Sequence, residues 1–131
     1  MRSDAFRAAV ESRDVSALEA VLAPDVSFRS PVVFGPYAGR ATVAGVLAAA
    51  AGVLEGFRYT DQLETGATAV LAFTAAVGGR ELEGIDLLRF DTAGSVRELA
   101  VYIRPLSGVR ALAEAIRRRL DEPGEPPRAP A

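Results

Sequence analysis

The chain has no cysteine, no histidine, no tryptophan and no lysine. Each absence removes a kind of chemistry. Without cysteine there is no disulfide, no thiol nucleophile and no thiolate metal site. Without histidine there is no Ser-His-Asp triad and no usual zinc site. Without lysine there is no Schiff base and no P-loop lysine. Any proton carrier must therefore be Asp, Glu or Tyr, and the sequence calls for no metal and no cofactor.

What is present is a chain of 131 residues, half of them hydrophobic, with fifteen arginines against seventeen carboxylates. That hydrophobic content favours a folded globule over disorder. The net charge of −2 speaks against nucleic-acid binding, which shows a basic excess or stripe. The one basic run, Arg117-Arg118-Arg119, falls near the end of an expected helix, where cations favour the macrodipole. The first residues lack the ~7–15-residue apolar core of a signal peptide. The longest apolar run, Val43 to Leu54, holds two glycines and falls short of the ~18 residues of a membrane span. The expectation is a cytoplasmic protein that does not enter a membrane.

The pattern predicts helices over 3–13 and 15–22, with Ser3 capping the first and Asp14 or Ser16 the second. A short strand follows Pro24-Asp25, built on Val26, Phe28 and Ser30. Residues 31–39, with Phe34 and Tyr37 as aromatic anchors, read as a loop. A helix over 41–55 has apolar residues at helical spacing and Gly56 at its C-cap. Strands are predicted over 57–64, 68–77, 80–90 and 96–104, joined by short turns as an antiparallel meander. A helix capped by Ser107 closes the domain, residues 1–120. The proline-rich segment 121–131 is expected to be a disordered tail. Helices segregated from an antiparallel sheet define an α+β fold. A strongly curved sheet wrapped around the long helix would enclose a pocket.

Strand parity selects candidate site residues. In 80–90, Leu82, Gly84, Asp86, Leu88 and Phe90 share one face, and Asp86 is its one carboxyl. An unpaired buried carboxylate is costly, so it finds partners or keeps its proton. Asp86 then either organises the core through a backbone or arginine bond, or serves an active site. In 57–64, Tyr59 and Asp61 share a face with Phe57 and Leu63. Asp61 faces inward on that count, or lies on a sheet edge in solvent. Leu71, Phe73, Ala75 and Val77 read as core, and Leu99, Val101 and Ile103 point inward. Ile85, Leu87 and Tyr102 fall on the outer face among charges, which suits a homodimer interface, with cover by the terminal tail as the alternative. Phe34 and Tyr37 are expected to plug the pocket mouth.

The stretch Gly84-Ile85-Asp86-Leu87-Leu88-Arg89-Phe90-Asp91, then Gly94, then the strand ending Arg104-Pro105, resembles the nuclear transport factor 2-like superfamily. The helical opening, the Ala23-Pro24-Asp25-Val26 turn and the Pro31 to Arg40 loop fit as well. That superfamily includes the SnoaL-like polyketide cyclases, the ketosteroid isomerases and the limonene epoxide hydrolases. The resemblance covers roughly residues 3–120 and is specific for fold rather than activity. It implies a cone-shaped fold with an apolar pocket and dimers through the outer sheet face. It also implies that Asp86 matches the isomerases' protonated oxyanion-hole aspartate. Their helical tyrosine aligns with Phe6 and their general base with Ser30. The epoxide hydrolases' catalytic Arg and second Asp fall on Gly84 and near Val101, so that triad is absent.

Two readings follow. One is a SnoaL-like isomerase or cyclase in which Asp86 moves a proton on an apolar carbonyl compound, with Tyr59 or Ser30 on the oxygen. The other is a homodimeric binder of an apolar small molecule that does no chemistry. An adaptor using the rim of the cone is kept beside these two. The expected pocket walls are Phe6, Phe28, Ser30, Phe34, Tyr37, Tyr59, Asp61, Phe73, Leu88 and Val101.

Overall fold

The structure, a computed structural model, describes residues 1–120, and the expected tail at 121–131 lies outside them. The clearest link from sequence to structure is strand β4 (Thr68–Val77), where burial alternates residue by residue. Ala69, Leu71, Phe73, Ala75 and Val77 are buried, as the two-residue period of a strand requires. β4 pairs antiparallel with β3 (Glu55–Thr65) and β5 (Arg80–Phe90), and β5 with β6 (Val96–Arg104). The expected meander is there.

The sheet continues with the short strand expected at Val26 and Phe28, whose partners no sequence signal indicated. β1 (Leu22–Arg29) lies parallel beside β6, and the two-residue strand β2 (Tyr37–Ala38) pairs with the other edge of β1. The order is β2-β1-β6-β5-β4-β3 in one curved, unclosed mixed sheet. The expected all-antiparallel sheet is corrected by this one parallel pair, and part of the expected 31–39 loop is strand. Parallel pairing joins segments far apart in sequence, and no turn signal announces it.

Four helices cover the inner side: α1 (Ser3–Ser12), α2 (Val15–Val21), α3 (Arg40–Val53) and α4 (Leu106–Leu120). Asp14 caps α2 by accepting the Ser16 N–H at 3.0 Å. Ser3 is not the cap of α1. It is the first helical residue, and its buried hydroxyl donates to Glu64 at 2.7 Å. α3 ends before Gly56, which lies in β3 with φ +59°, where the register with β4 shifts. α4 starts one residue before Ser107. α3 is anchored to β1 by the Gly39 N–H on the Val26 carbonyl at 2.9 Å and the Arg40 guanidinium on the Leu22 carbonyl at 3.1 Å. No helix among the described residues is long and apolar enough to cross a membrane.

Candidate active site

The inner face of the sheet does not pack solid against the helices. A cavity of about 430 Å³ lies between them, within the range of small-ligand sites. β5 delivers Asp86 to it because Leu82, Gly84 and Asp86 share the inward parity. β3 delivers Tyr59, opposite Phe73 of β4. The Tyr59 hydroxyl donates to Asp86 Oδ2 at 2.7 Å. No other hydrogen bond or ion pair reaches Asp86 among the described residues, and no buried side-chain polar atom is left unsatisfied. The second oxygen, Oδ1, is therefore open to the cavity rather than entombed.

The surroundings set the acidity of this pair. Burial disfavours the charged carboxylate and pushes Asp86 up to about 7, against the smaller downward pull of the Tyr59 hydrogen bond. Burial raises the Tyr59 phenol far above its usual range, and the adjacent Asp86 adds to this. Tyr59 stays protonated, a fixed donor. Its ring is held edge-on to Phe57 at 4.9 Å between centroids, and Phe57 stacks on Phe73 at 5.0 Å. Arg7 of α1 lies 5.4 Å from the Tyr59 ring centroid, within cation–π range.

Among the expected wall residues, Phe6, Phe28, Ser30, Tyr37, Tyr59, Phe73, Asp86 and Val101 line this cavity. Ser30 Oγ accepts the N–H groups of Val32 and Val33, both at 3.2 Å. That turn directs Val32 and Val33 to the cavity wall and leaves Phe34 fully in solvent, so Phe34 does not plug the mouth. Asp61 also departs from expectation. The β3–β4 register shifts between Tyr59 and Asp61, which reverses the alternation and turns Asp61 outward beside Thr60. Gln62 and Glu64 take the inward parity and bind α1 through Ser3 and Arg7. Leu88 is wholly buried but away from the cavity, in the core. Parity separates inside from outside, not cavity wall from packed core. The walls that sequence reading missed come mostly from helices: Val10, Leu47, Ala50 and Ile116, with Arg13 and Arg117. Leu47, Ala50 and Ile116 carried helical spacing but nothing to distinguish cavity from core.

An α+β cone around an apolar cavity, with one aspartate bonded to a tyrosine inside it, defines the class. The chain belongs to the SnoaL-like domain family, whose pattern its residues 4–99 match. It is similar to a steroid delta-isomerase from Pseudomonas aeruginosa, at 42% identity, with 91% of this chain and 88% of that one covered and a TM-score of 0.86. It is similar also to a bacterial protein of cystatin-like fold from Silicibacter pomeroyi, at 31% identity, 91% and 84% coverage and a TM-score of 0.88. A protein of ketosteroid isomerase-like fold from Catenulispora acidiphila, crystallised with trimethylamine, shares the fold at 19% identity, 86% and 92% coverage and a TM-score of 0.66. No curated protein matches the chain.

Proposed function

We propose that the protein is an isomerase that shifts a proton along an apolar, unsaturated ketone, with Asp86 as the proton carrier. The observation that carries this reading is the 2.7 Å Tyr59–Asp86 contact at the floor of an apolar cavity. A ketone's oxygen and its α-carbon are separated by one atom, so they can meet two neighbouring protein oxygens together. Ionised Asp86 takes the α-proton through Oδ1. Its neutralisation weakens its claim on the Tyr59 hydroxyl, which turns its hydrogen bond to the developing enolate. Asp86 then returns the proton to the carbon at the far end of the conjugated system, and no atom is gained or lost. Ser30, whose Oγ is held by two backbone N–H groups, offers its own hydrogen to the substrate oxygen. The likeness to a steroid delta-isomerase supports the choice of substrate class.

A β,γ-unsaturated steroid ketone tests this, with the conjugated product followed by ultraviolet absorbance. Because the base is a carboxylate raised to about 7, kcat/KM rises with pH through neutrality and then levels. Tyr59→Phe removes the bond that holds Asp86 down, so the same limb moves to higher pH. Asp86→Asn lowers kcat by ~10²–10⁴ while substrate affinity stays within a few-fold. A profile that falls through neutrality, or an Asn variant as fast as wild type, overturns the assignment.

The binder reading is favoured by one observation: Phe6 and Ser30, which line the cavity, bring no second acid or base to it. Tight binding of the ketone with no turnover, and equal affinity in wild type and Asp86→Asn, is its signature.

The outer sheet face is the proposed homodimer surface. Ile85 faces Tyr102 across the β5–β6 ladder, Leu87 is the next outward residue, and Tyr102 is half exposed. Sedimentation equilibrium is expected to give a dimer, and Leu87→Asp with Tyr102→Asp a folded monomer. A monomeric wild type contradicts the proposal.

A further inference from the structure

Two arginines share the cavity wall with Asp86, and neither is explained by the proton chemistry. Arg13 and Arg117 are the other charged residues on that wall. Asp86 is buried, whereas both arginines are exposed. They therefore stand where the cavity meets solvent, while the carboxyl lies in its buried part. Neither makes an ion pair or side-chain hydrogen bond among the described residues, although carboxylates are near in sequence. Arg7 takes Glu11, and Arg118 takes Glu114. Arg13 also occupies the left-handed position that ends α1, at φ +60°. That position favours glycine, and an arginine there accepts a backbone cost while keeping a cationic side chain. The wall thus combines a buried carboxyl, aliphatic and aromatic side chains, and two exposed cations that have no partner among the described residues.

From this polarity we infer that the ligand is an apolar molecule with a carboxylate at the end remote from its reacting carbonyl. This rests on the reading of the cavity as a ligand site and adds the substrate's charge and its orientation. The carbonyl end enters first, to Asp86 and Tyr59, and the carboxylate stays at the mouth between Arg13 and Arg117. Reversed entry would bring a carboxylate against the Asp86 carboxyl in an apolar floor, which desolvation and like charge both oppose.

Pyrenebutyrate and its methyl ester test this, because they share one fluorescent apolar body and differ in charge. The readout is the ratio of their dissociation constants. Wild type is expected to favour the acid, and Arg13→Gln with Arg117→Gln to cut that preference by about tenfold, two partly exposed ion pairs lost. Arg13→Lys with Arg117→Lys restores most of it. Arg58→Gln with Arg80→Gln, which makes the same change in net charge away from the cavity, leaves the ratio as in wild type. Salt raised from ~0.05 to ~0.5 M lowers the wild-type preference by screening. If both probes bind and the cavity double variant keeps the wild-type ratio, or if the Arg58–Arg80 variant loses it equally, the anion site is overturned and the cavity reading stands. If neither probe binds wild type, the cavity reading falls as well.

Discussion

Replacing Asp86 by asparagine is expected to make the protein more stable at pH 8 and to change it little at pH 4. The sign follows from proton linkage. The folded carboxyl titrates near 7, above its ordinary 3.8, so between these values the folded state holds a proton that the unfolded chain has released. Stability from this group is fully present below about pH 4 and is lost as pH rises through 7. A shift of this size corresponds to a loss on the order of 4 kcal/mol once both states are ionised. That is a large part of the ~5–15 kcal/mol that holds a typical domain together. Asparagine has nearly the same shape, still accepts from Tyr59, and has no charge to desolvate. Thermal unfolding of both proteins from pH 4 to pH 9 is the measurement. Other groups titrate alike in the two, so the difference between the curves isolates Asp86. It is expected to open by roughly 10 °C or more toward pH 8. Parallel curves would mean that the carboxylate meets no desolvation cost and that Asp86 is not a poised base. Taken with the kinetic expectation for the same variant, the trade is stability gained for proton transfer lost.

Asp86 was legible in sequence because a strand alternates strictly, so one carboxyl on an apolar face stands out. The same alternation placed Tyr59, Phe73 and Val101 on the inner side. The rule fails where the ladder does: the register shift after Tyr59 turns Asp61 outward, and nothing in its neighbours' side chains announces that irregularity. Phe34 was misplaced for a related reason. The Val32 and Val33 N–H groups both donate to Ser30 Oγ in a tight turn, and the next residue is carried past the cavity rim. Arg117 was visible only as one of three basic residues at a helix end, a position the helix dipole already accounts for. Its role depends on which side of α4 meets the cavity, and arginine is neutral on that point. The parallel β1–β6 pair was out of reach, because half the chain lies between the two strands. Local rules therefore recovered the meander and the proton carrier, while the ends of the cavity depend on long-range packing.

Gly84 should be the least replaceable position beneath the site. It has ordinary strand geometry, so its requirement is space rather than backbone freedom. A Cβ built there would collide with the Tyr102 carbonyl, and would lie 2.8 Å from Phe73 Cζ and 2.9 Å from Ile103 Cγ1. The carbonyl belongs to the adjoining β6 backbone, and it cannot turn aside as a flexible side chain does. Phe73 and Ile103 line the cavity, and Asp86 lies two residues further along β5. Relief must come from parting β5 and β6 or from pushing the Phe73 ring away from Phe57. Overpacking of a well-filled interior costs about 1–3 kcal/mol, and a backbone clash places Gly84→Ala at the upper end. Gly108 gives the contrast. Its Cβ would lie 2.8 Å from Leu82 Cβ, but it sits in α4, where alanine returns about 1 kcal/mol of helix propensity. Urea unfolding is expected to show Gly84→Ala losing clearly more stability than Gly108→Ala, with probe binding at the cavity weakened in the first. An equal loss in the two would mean that the strands yield at Gly84, and a floor that yields could not hold the Tyr59 and Asp86 oxygens in the register that proton transfer needs.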